Sequence, residues 1–308
     1  MVLKLKAVYY FYMVTLSTET LPTLDELIKK AGDLQMMPQT ARKVMELVSK
    51  ESTTAIDLAS VIEKDANITT RILKISNSAF YGLRQEIKTV QHAIVILGYK
   101  SVRSLVVASS SKAVHKRFGI TEQLMWDGSV GTAIFARLLA KGKRPAVGEL
   151  AFVGGLLHNV GKAIMNNECP KAYTEVMKNV YNTGTTFAEA EKKVFKYSHP
   201  EVGYGVITRW GLPENISKII RFHQLSRLDP NAKEEVLKAD EDLRTALACV
   251  EVAVELCRLL GVGYKDRVPD VKLDALEGSK ILGLDSAKLD QIVPICEKSF
   301  LEEKAIFN

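Results

Sequence analysis

The amino-acid sequence predicts an all-α protein, and three observations lead to that prediction. Apolar residues recur at three- and four-residue intervals almost throughout the 308 residues, as they do on one face of a helix. No stretch of alternating apolar and polar residues is long enough for a useful β-strand. Helix-capping residues precede several periodic segments, and glycines follow others. Together these patterns favour helices packed around a large core.

Each helical segment is justified by its own residues. The first, residues 38–49, begins at Pro38 and places Ala41, Val44 and Val48 on one face. Later segments begin after capping residues or end at a glycine, which are the usual boundaries of helices. The other predicted helices, in chain order, span residues 56–62, 68–76, 90–97, 102–114, 124–139, 150–165, 173–180, 187–194, 201–210, 216–222, 233–260 and 286–303.

The composition limits the class of protein. The net charge of +6, from 42 Lys and Arg against 36 Asp and Glu, is compatible with acidic partners. It falls short of the clustered basic surface that nucleic-acid-binding proteins usually show. No apolar run reaches the ~18 residues that a membrane-spanning helix needs. The four cysteines lack a C-x-x-C pair, which favours reduced thiols in a cytoplasmic protein over a disulfide or metal framework.

The first residues superficially resemble a secretory signal. Lys4 and Lys6 precede an apolar run over residues 7–14, but no small-x-small cleavage site follows and the run is rich in tyrosine. We therefore expect a cytoplasmic protein. Met13 is an alternative natural start, which would leave residues 1–12 outside the native protein.

The most informative motif is the segment 156–162, which reads Leu-Leu-His-Asn-Val-Gly-Lys. It resembles the centre of the HD-type metal phosphohydrolase signature, a His-Asp pair followed by Gly and Lys. In that signature the His and the Asp bind a metal, and the Lys can steady a phosphate. His158 and Lys162 keep their positions, whereas Asn159 replaces the Asp. A neutral amide is a poor metal ligand, so the anionic bridge of such a site is lost.

Motifs nearer the N-terminus resemble a wider family. Glu63 and Asp65 precede an apolar helix that ends in residues 77–81 (Asn-Ser-Ala-Phe-Tyr), and residues 93–98 follow with Ala-Ile at their start and Leu-Gly at their end. With the altered His-Asp motif after them, this order resembles the HDOD family over approximately residues 21–224. The resemblance implies an HD-domain-like multi-helix bundle preceded by an N-terminal helical subdomain. It also implies a bacterial signal-transduction protein without the phosphodiesterase activity of its HD-GYP relatives.

The resemblance and a break in periodicity near Gly119 divide the chain into four parts. Residues 1–20 form an N-terminal extension that could be disordered, and residues 21–119 form the N-terminal helical subdomain. Residues 120–225 form the degenerate HD-like subdomain. Residues 226–308 are C-terminal helices that we expect to complete the core. For these last helices, a role as the face of a homodimer also stays open.

The resemblance further implies a set of metal-ligand positions, of which this chain keeps some. Three histidines remain: His158, His199 and His223. Gly128 and Asn159 stand where two other ligands are expected, and Glu251 is a carboxylate in an uncertain register. A di-metal hydrolytic centre needs carboxylate bridges, so we expect no catalytic residues. No cofactor is expected, although three imidazoles could hold a single Zn, Fe or Mn ion.

These residues lead to the hypothesis of a binding protein without catalysis. We expect a pocket lined by His158, Asn159, Lys162, His199 and His223 that takes a signalling partner protein or a phosphate-bearing ligand. Lys162 would supply positive charge to a phosphate, and Asn159 a neutral donor and acceptor. A single buried histidine is more often a core side chain bonded to a carbonyl. The joint presence of three histidines and Lys162 favours a pocket.

Two alternatives stay open. One is a metal-dependent phosphohydrolase with a residual mononuclear site held by three imidazoles. The other is a helix–turn–helix nucleic-acid binder formed by residues 58–65 and 68–78, with Arg71 and Lys74 on its second helix. This second signal is weak because consecutive short helices are common in all-α proteins. Nucleic acid is therefore not the expected partner.

Overall fold

The computed structural model describes residues 21–33, 38–77, 85–114 and 119–307. Within these ranges the protein consists of helices and connecting turns without a β-strand, which confirms the predicted all-α class. The predicted N-terminal extension with its alternative start at Met13 lies outside the described residues, as do residues 78–81 of the N-terminal motif. No helix in these ranges combines the length and the apolar character needed to cross a membrane.

The N-terminal part of the described chain contains six α-helices. They are α1 (Leu24–Ala31), α2 (Gln39–Val48), α3 (Ala55–Ile62), α4 (Ala66–Ser76), α5 (Val90–Leu97) and α6 (Tyr99–Ser110). Side chains that accept hydrogen bonds from first-turn amides fix several of the helix starts. Thr23 and Glu26 form a reciprocal capping box before α1, and Thr54 and Asp57 form another before α3. Buried aliphatic side chains on α2 to α6 form the core of this part.

The helices that carry the candidate site follow. They are α7 (Ile120–Leu139), α8 (Pro145–Leu157), α9 (Val160–Glu168), α10 (Pro170–Thr183), α11 (Phe187–Phe195), α12 (His199–Arg209) and α13 (Glu214–Phe222). The C-terminal helices are α14 (Pro230–Leu237), α15 (Glu241–Leu260), α16 (Glu277–Leu282) and α17 (Ser286–Glu303). Helices α7, α8 and α15 pack against one another at the centre of this half, and α17 lies against α7. Because these central helices are apolar on most of their surfaces, they are stable only when other helices surround them.

Two helices predicted from the sequence are wrong in extent, because a turn interrupts each of them. The pattern over residues 150–165 predicts one helix, but α8 ends at Leu157 and α9 begins at Val160. The pattern over residues 233–260 is likewise divided between α14 and α15, where the Asp240 side chain caps a new helix start. Apolar periodicity continues across both turns and therefore does not reveal them.

Arg71 joins the N-terminal part to the rest of the molecule. From α4 its guanidinium donates to the main-chain oxygen of Ser109 at 2.7 Å and to that of Phe307 at 3.0 Å. The same group lies over the Trp126 ring of α7, 5.9 Å from its centroid. Phe307 is buried and packs against Phe152 of α8. These contacts commit the Arg71 donors to the protein interior, whereas the helix–turn–helix alternative needs them at a nucleic-acid surface.

Replacement of Arg71 by Met tests this joint. The substitution leaves two main-chain oxygens without their charged donor, so we expect a loss of about 2–4 kcal/mol in the free energy of unfolding. Urea denaturation followed by circular dichroism measures the change. Lys74→Met on the exposed side of the same helix is the matched control and should change stability by less than about 0.5 kcal/mol. Equal stability of the two variants would contradict the assignment.

Candidate functional site

The structure brings the five predicted pocket residues together around one helix junction. His158 follows the end of α8, Lys162 lies in the first turn of α9, His199 begins α12 and His223 follows the end of α13. These four side chains line a cleft of about 200 Å³. Asn159 lies in a much smaller adjoining cavity, which His158 and Lys162 also line. All five side chains are buried, as is usual for polar groups at the base of a cleft.

Gly161 of the central motif permits the approach of α9 to α12. A side-chain carbon at this position would collide with the main-chain oxygen of His199 and come within 3.0 Å of Gly203 N. Only glycine allows the two backbones to lie this close. The glycine of the motif therefore has a structural role, because it places His199 beside the turn that carries His158.

Main-chain oxygens fix the tautomer of two of the three imidazoles. The Nδ1 atom of His158 lies 2.6 Å from the oxygen of Gly155, and that of His223 lies 2.8 Å from the oxygen of Ile220. A carbonyl oxygen only accepts, so these Nδ1 atoms carry the proton and the Nε2 atoms are left as acceptors. The Nε2 atoms of His199 and His223 are 3.3 Å apart. Burial lowers the pKa of all three histidines well below the ordinary value.

Glu191 on α11 is a buried carboxylate that the predicted site did not include. It accepts hydrogen bonds from the backbone nitrogen of His199 at 2.8 Å, from Nδ1 of the same residue at 2.6 Å and from the Tyr173 hydroxyl at 2.8 Å. Burial raises the pKa of Glu191 to about 7, and the nearby Lys162 ammonium opposes that shift. The signal was present, because Glu191 stands one turn from both Phe187 and Phe195 on the apolar face of α11.

Lys162 is a buried ammonium whose donors remain available. Its Nζ atom lies 4.0 Å from the centroid of the Phe187 ring, a cation–π contact. Within the described part of the chain, neither the hydrogen bonds nor the ion pairs include this atom. Burial lowers the pKa of Lys162 to about 8, with Glu191 acting in the opposite direction. A partly desolvated ammonium with three unused donors is suited to an anionic ligand.

A second cationic group lies along the same cleft and was also missed. Arg227 donates to Glu255 at 2.7 Å, and Arg258 donates to the other oxygen of the same carboxylate at 2.6 Å. All three residues line the cleft beside Lys162. Glu255 lies one helical turn after Glu251, the carboxylate singled out from the sequence.

Glu251 itself has a structural role at a different place. Its two carboxylate oxygens accept hydrogen bonds from the backbone nitrogens of Ser226 and Gly278. These bonds hold the turn after α13 and the start of α16 against α15. Both oxygens accept from main-chain donors and Glu251 does not line the cleft, so its observed role is structural.

The residues present do not fit the di-metal centre that the family resemblance implies. Gly128 offers no donor, and the Asn159 amide lies 3.5 Å from the oxygen of Met125 while its own Oδ1 is buried without a partner. Within the described ranges, no three His, Cys, Asp or Glu side chains are arranged to hold a metal ion. Neither Gly128 nor Asn159 supplies the carboxylate that would bridge two metals. We therefore derive no step through a metal.

Gly263 packs closely against Gly128, the position on α7 where a metal ligand is missing. This residue has φ +77°, and a side-chain carbon on it would lie 2.5 Å from Gly128 N and closer still to Gly128 Cα. The backbone of the loop after α15 thus occupies the volume beside Gly128. A side-chain carbon on Gly128 itself would meet only ordinary contacts, 3.5 Å from Gly263 Cα and 3.6 Å from Asn159 Nδ2.

Gly263→Ala tests this close contact. We expect the free energy of unfolding to fall by about 1–3 kcal/mol more than in Gly142→Ala, because the added methyl group would collide with the backbone of Gly128. Gly142 is the matched control, since it has φ +82° but open space around it, and it isolates the conformational cost of a left-handed alanine. Equal losses in the two variants, measured by urea denaturation, would show that the loop does not press on Gly128.

Comparisons with known proteins agree on the family. A family model for the HDOD domain matches residues 34–226 of the chain. Among curated proteins, an uncharacterized protein of Treponema pallidum (strain Nichols) is 22% identical over 224 residues. The match covers 72% of this chain and 43% of that protein, so the chain spans less than half of that relative.

Solved structures share the fold. An HDOD domain protein of unknown function from Geobacter sulfurreducens aligns with a TM-score of 0.62 and 23% identity, covering 97% of this chain and 95% of that chain. A candidate phosphohydrolase from Shewanella amazonensis aligns with a TM-score of 0.60 and 21% identity, over 92% and 98% of the two chains. A candidate signal-transduction protein from Marinobacter aquaeolei gives 0.58 and 19%, over 92% of this chain and 64% of that chain. At such identities the likeness concerns the fold alone.

Proposed function

This chain belongs to the HDOD family, and we propose that it is a signal-transduction protein that binds a phosphate-bearing ligand without turning it over. The binding site is the cleft lined by His158, Lys162, His199 and His223. The relatives include one protein described as acting in signal transduction and one described as a phosphohydrolase. We combine a role in signal transduction with a pocket of the kind that a phosphohydrolase uses for phosphate.

The availability of the Lys162 ammonium is the observation that supports ligand binding most strongly. A buried ammonium loses its hydration, and a single aromatic contact replaces only part of that stabilisation. A phosphate in the cleft would accept its three donors in charge-assisted hydrogen bonds. Glu191, the carboxylate whose charge acts on the Lys162 ammonium, already accepts from Tyr173 and His199.

We propose no turnover because the positions expected for metal ligands lack anionic side chains. Asn159 and Gly128 supply no anionic ligand, and the Glu191 oxygens are engaged on the far side of the His199 ring. Hydrolysis by this kind of fold needs a metal-bound water that loses its proton near neutral pH. The described residues around the cleft provide no such arrangement.

Contacts between the two halves of the molecule would carry the effect of a bound ligand to the N-terminal helices. Helix α8, which leads into His158, packs against α6 of the N-terminal part. Arg71 ties α4 and α6 to Phe307 and Trp126 at the same boundary. A ligand that moves the α8–α9 turn would therefore act on a boundary shared with the N-terminal helices. A partner protein would read the result on that half.

Lys162→Met is the direct test of ligand binding. Methionine keeps the length of the side chain and removes the charge, so we expect at least a tenfold loss of affinity for inorganic phosphate and phenyl phosphate in isothermal titration calorimetry. Arg144→Gln is the control, because this exposed arginine pairs with Asp242 away from the cleft. Unchanged affinity in Lys162→Met, or no binding by the wild type, would overturn the proposal.

The same protein samples decide between binding and hydrolysis. We expect no turnover of nucleotides or cyclic dinucleotides after addition of Mn²⁺, Fe²⁺ or Zn²⁺. Stoichiometric metal by elemental analysis, together with turnover that His158→Ala abolishes, would instead establish the mononuclear phosphohydrolase.

The pKa of Lys162 predicts how binding depends on pH. With a value of about 8, the free site loses its ammonium as the pH rises through 8, and an anion binds only the ammonium form well. Phosphate is already a dianion there, so its affinity should fall by up to tenfold per unit between about pH 8.5 and 10. Lys162→Arg, which keeps its charge, should show a flat profile over that range. A wild-type profile as flat as that of Lys162→Arg would contradict the assignment.

A further inference from the structure

The cleft contains two separate cationic centres rather than one. The first is the Lys162 ammonium with the three imidazoles around it. The second is the pair Arg227 and Arg258, held by Glu255. The two centres come from different helices, since Lys162 belongs to α9 and Arg258 belongs to α15. One anionic group bound at Lys162 leaves the second centre without a ligand.

We infer that the ligand carries two linked anionic groups, of the diphosphate class, with one group at Lys162 and the other at Arg227 and Arg258. This inference rests on the proposed phosphate-binding function and specifies which phosphate compounds the cleft prefers. A ligand with a single phosphate would use only one of the two centres.

The charge balance of the second centre supports this assignment. Two guanidinium groups share one carboxylate, so the group of three keeps one net positive charge. Glu255 is 2% exposed, whereas the Arg227 and Arg258 side chains are 38% and 22% exposed. The carboxylate is therefore sequestered beneath the two guanidiniums, and the guanidiniums are the part of the centre that a ligand in the cleft can reach.

The unused N–H donors of Arg227 and Arg258 also indicate a site for a second anionic group. A guanidinium has five N–H donors, and Arg227 and Arg258 each use an Nη1 on Glu255. Within the described part of the chain, the remaining N–H donors of both arginines form no hydrogen bond. A planar guanidinium can donate two parallel hydrogen bonds to two oxygens of one phosphate group. Arg227 and Arg258 are therefore suited to a terminal phosphate group. Glu255 thus acts as a positioning residue that holds the two guanidinium groups side by side.

The wider lining of the cleft has the same sign of charge. Lys265 and Arg267 join Lys162, Arg227 and Arg258 along it, against the two carboxylates of Glu255 and Asp266. Arg267 forms an ion pair with Glu297, and Lys265 is exposed on the same loop. An excess of fixed positive charge in a concave site raises the local concentration of polyanions.

The experiment compares inorganic phosphate with methylenediphosphonate, a diphosphate analogue whose P–C–P bridge resists hydrolysis. Calorimetric titrations use the full chain and the variants Arg258→Gln, Arg227→Gln, Lys162→Met and the Arg144→Gln control, at two salt concentrations. We expect the wild type to bind the diphosphonate at least tenfold more tightly than phosphate. Arg258→Gln and Arg227→Gln should each reduce this preference to about threefold or less, because each removes a charged donor from the second centre.

The outcomes separate the two claims. A wild type that binds both ligands equally, or a preference that survives in Arg258→Gln and Arg227→Gln, overturns the two-centre inference and leaves the proposed function intact. Failure of both ligands to bind the wild type overturns the proposed function itself. Circular dichroism checks the fold of each variant, and if Arg258→Gln does not fold, Arg227→Gln decides by the same criterion.

Discussion

The burial of ionisable side chains at one helix junction is the constraint on which this structure depends. Lys162, Glu191 and three histidines lie inside the protein, where an isolated charge is strongly disfavoured. The fold meets that cost with oriented partners. Main-chain oxygens fix two imidazoles, Glu191 accepts three hydrogen bonds, and the Phe187 ring faces the ammonium. The Lys162 donors are the part of this arrangement left for a ligand.

Loss of the metal-binding pattern has not left an open space. Gly128 and Asn159 remove two ligands, and the loop after α15 brings Gly263 against Gly128. This contact places the backbone of the loop directly beside the position of the missing ligand. The cleft that persists is cationic. A metal centre that coordinates phosphate and a lysine–arginine cleft that binds it attract the same anions by different chemistry.

Prediction from the sequence succeeded where one local pattern decided the outcome. Helical periodicity determined the all-α class, and the order of the motifs identified the family. Helix α1 was missed although Leu24, Leu27, Ile28 and Ala31 have helical spacing and Thr23 and Glu26 form a capping box, so both signals were present in the sequence. The turn at His158–Asn159 was missed because apolar spacing continues through it. Glu191, Arg227 and Arg258 were missed because their roles depend on which helices meet, and a charged residue in a helical pattern is usually solvated.

The protonation of Lys162 tests the central claim most directly, since it reports whether this ammonium is buried beside a phosphate site. The ε-carbon signal of Lys162, assigned by its loss in Lys162→Arg, can be followed by NMR against pH with and without phosphate. The structure predicts a pKa of about 8 in the free protein, below the usual 10.5, and a rise when phosphate is added. A pKa near 10.5 that phosphate does not change would contradict the account.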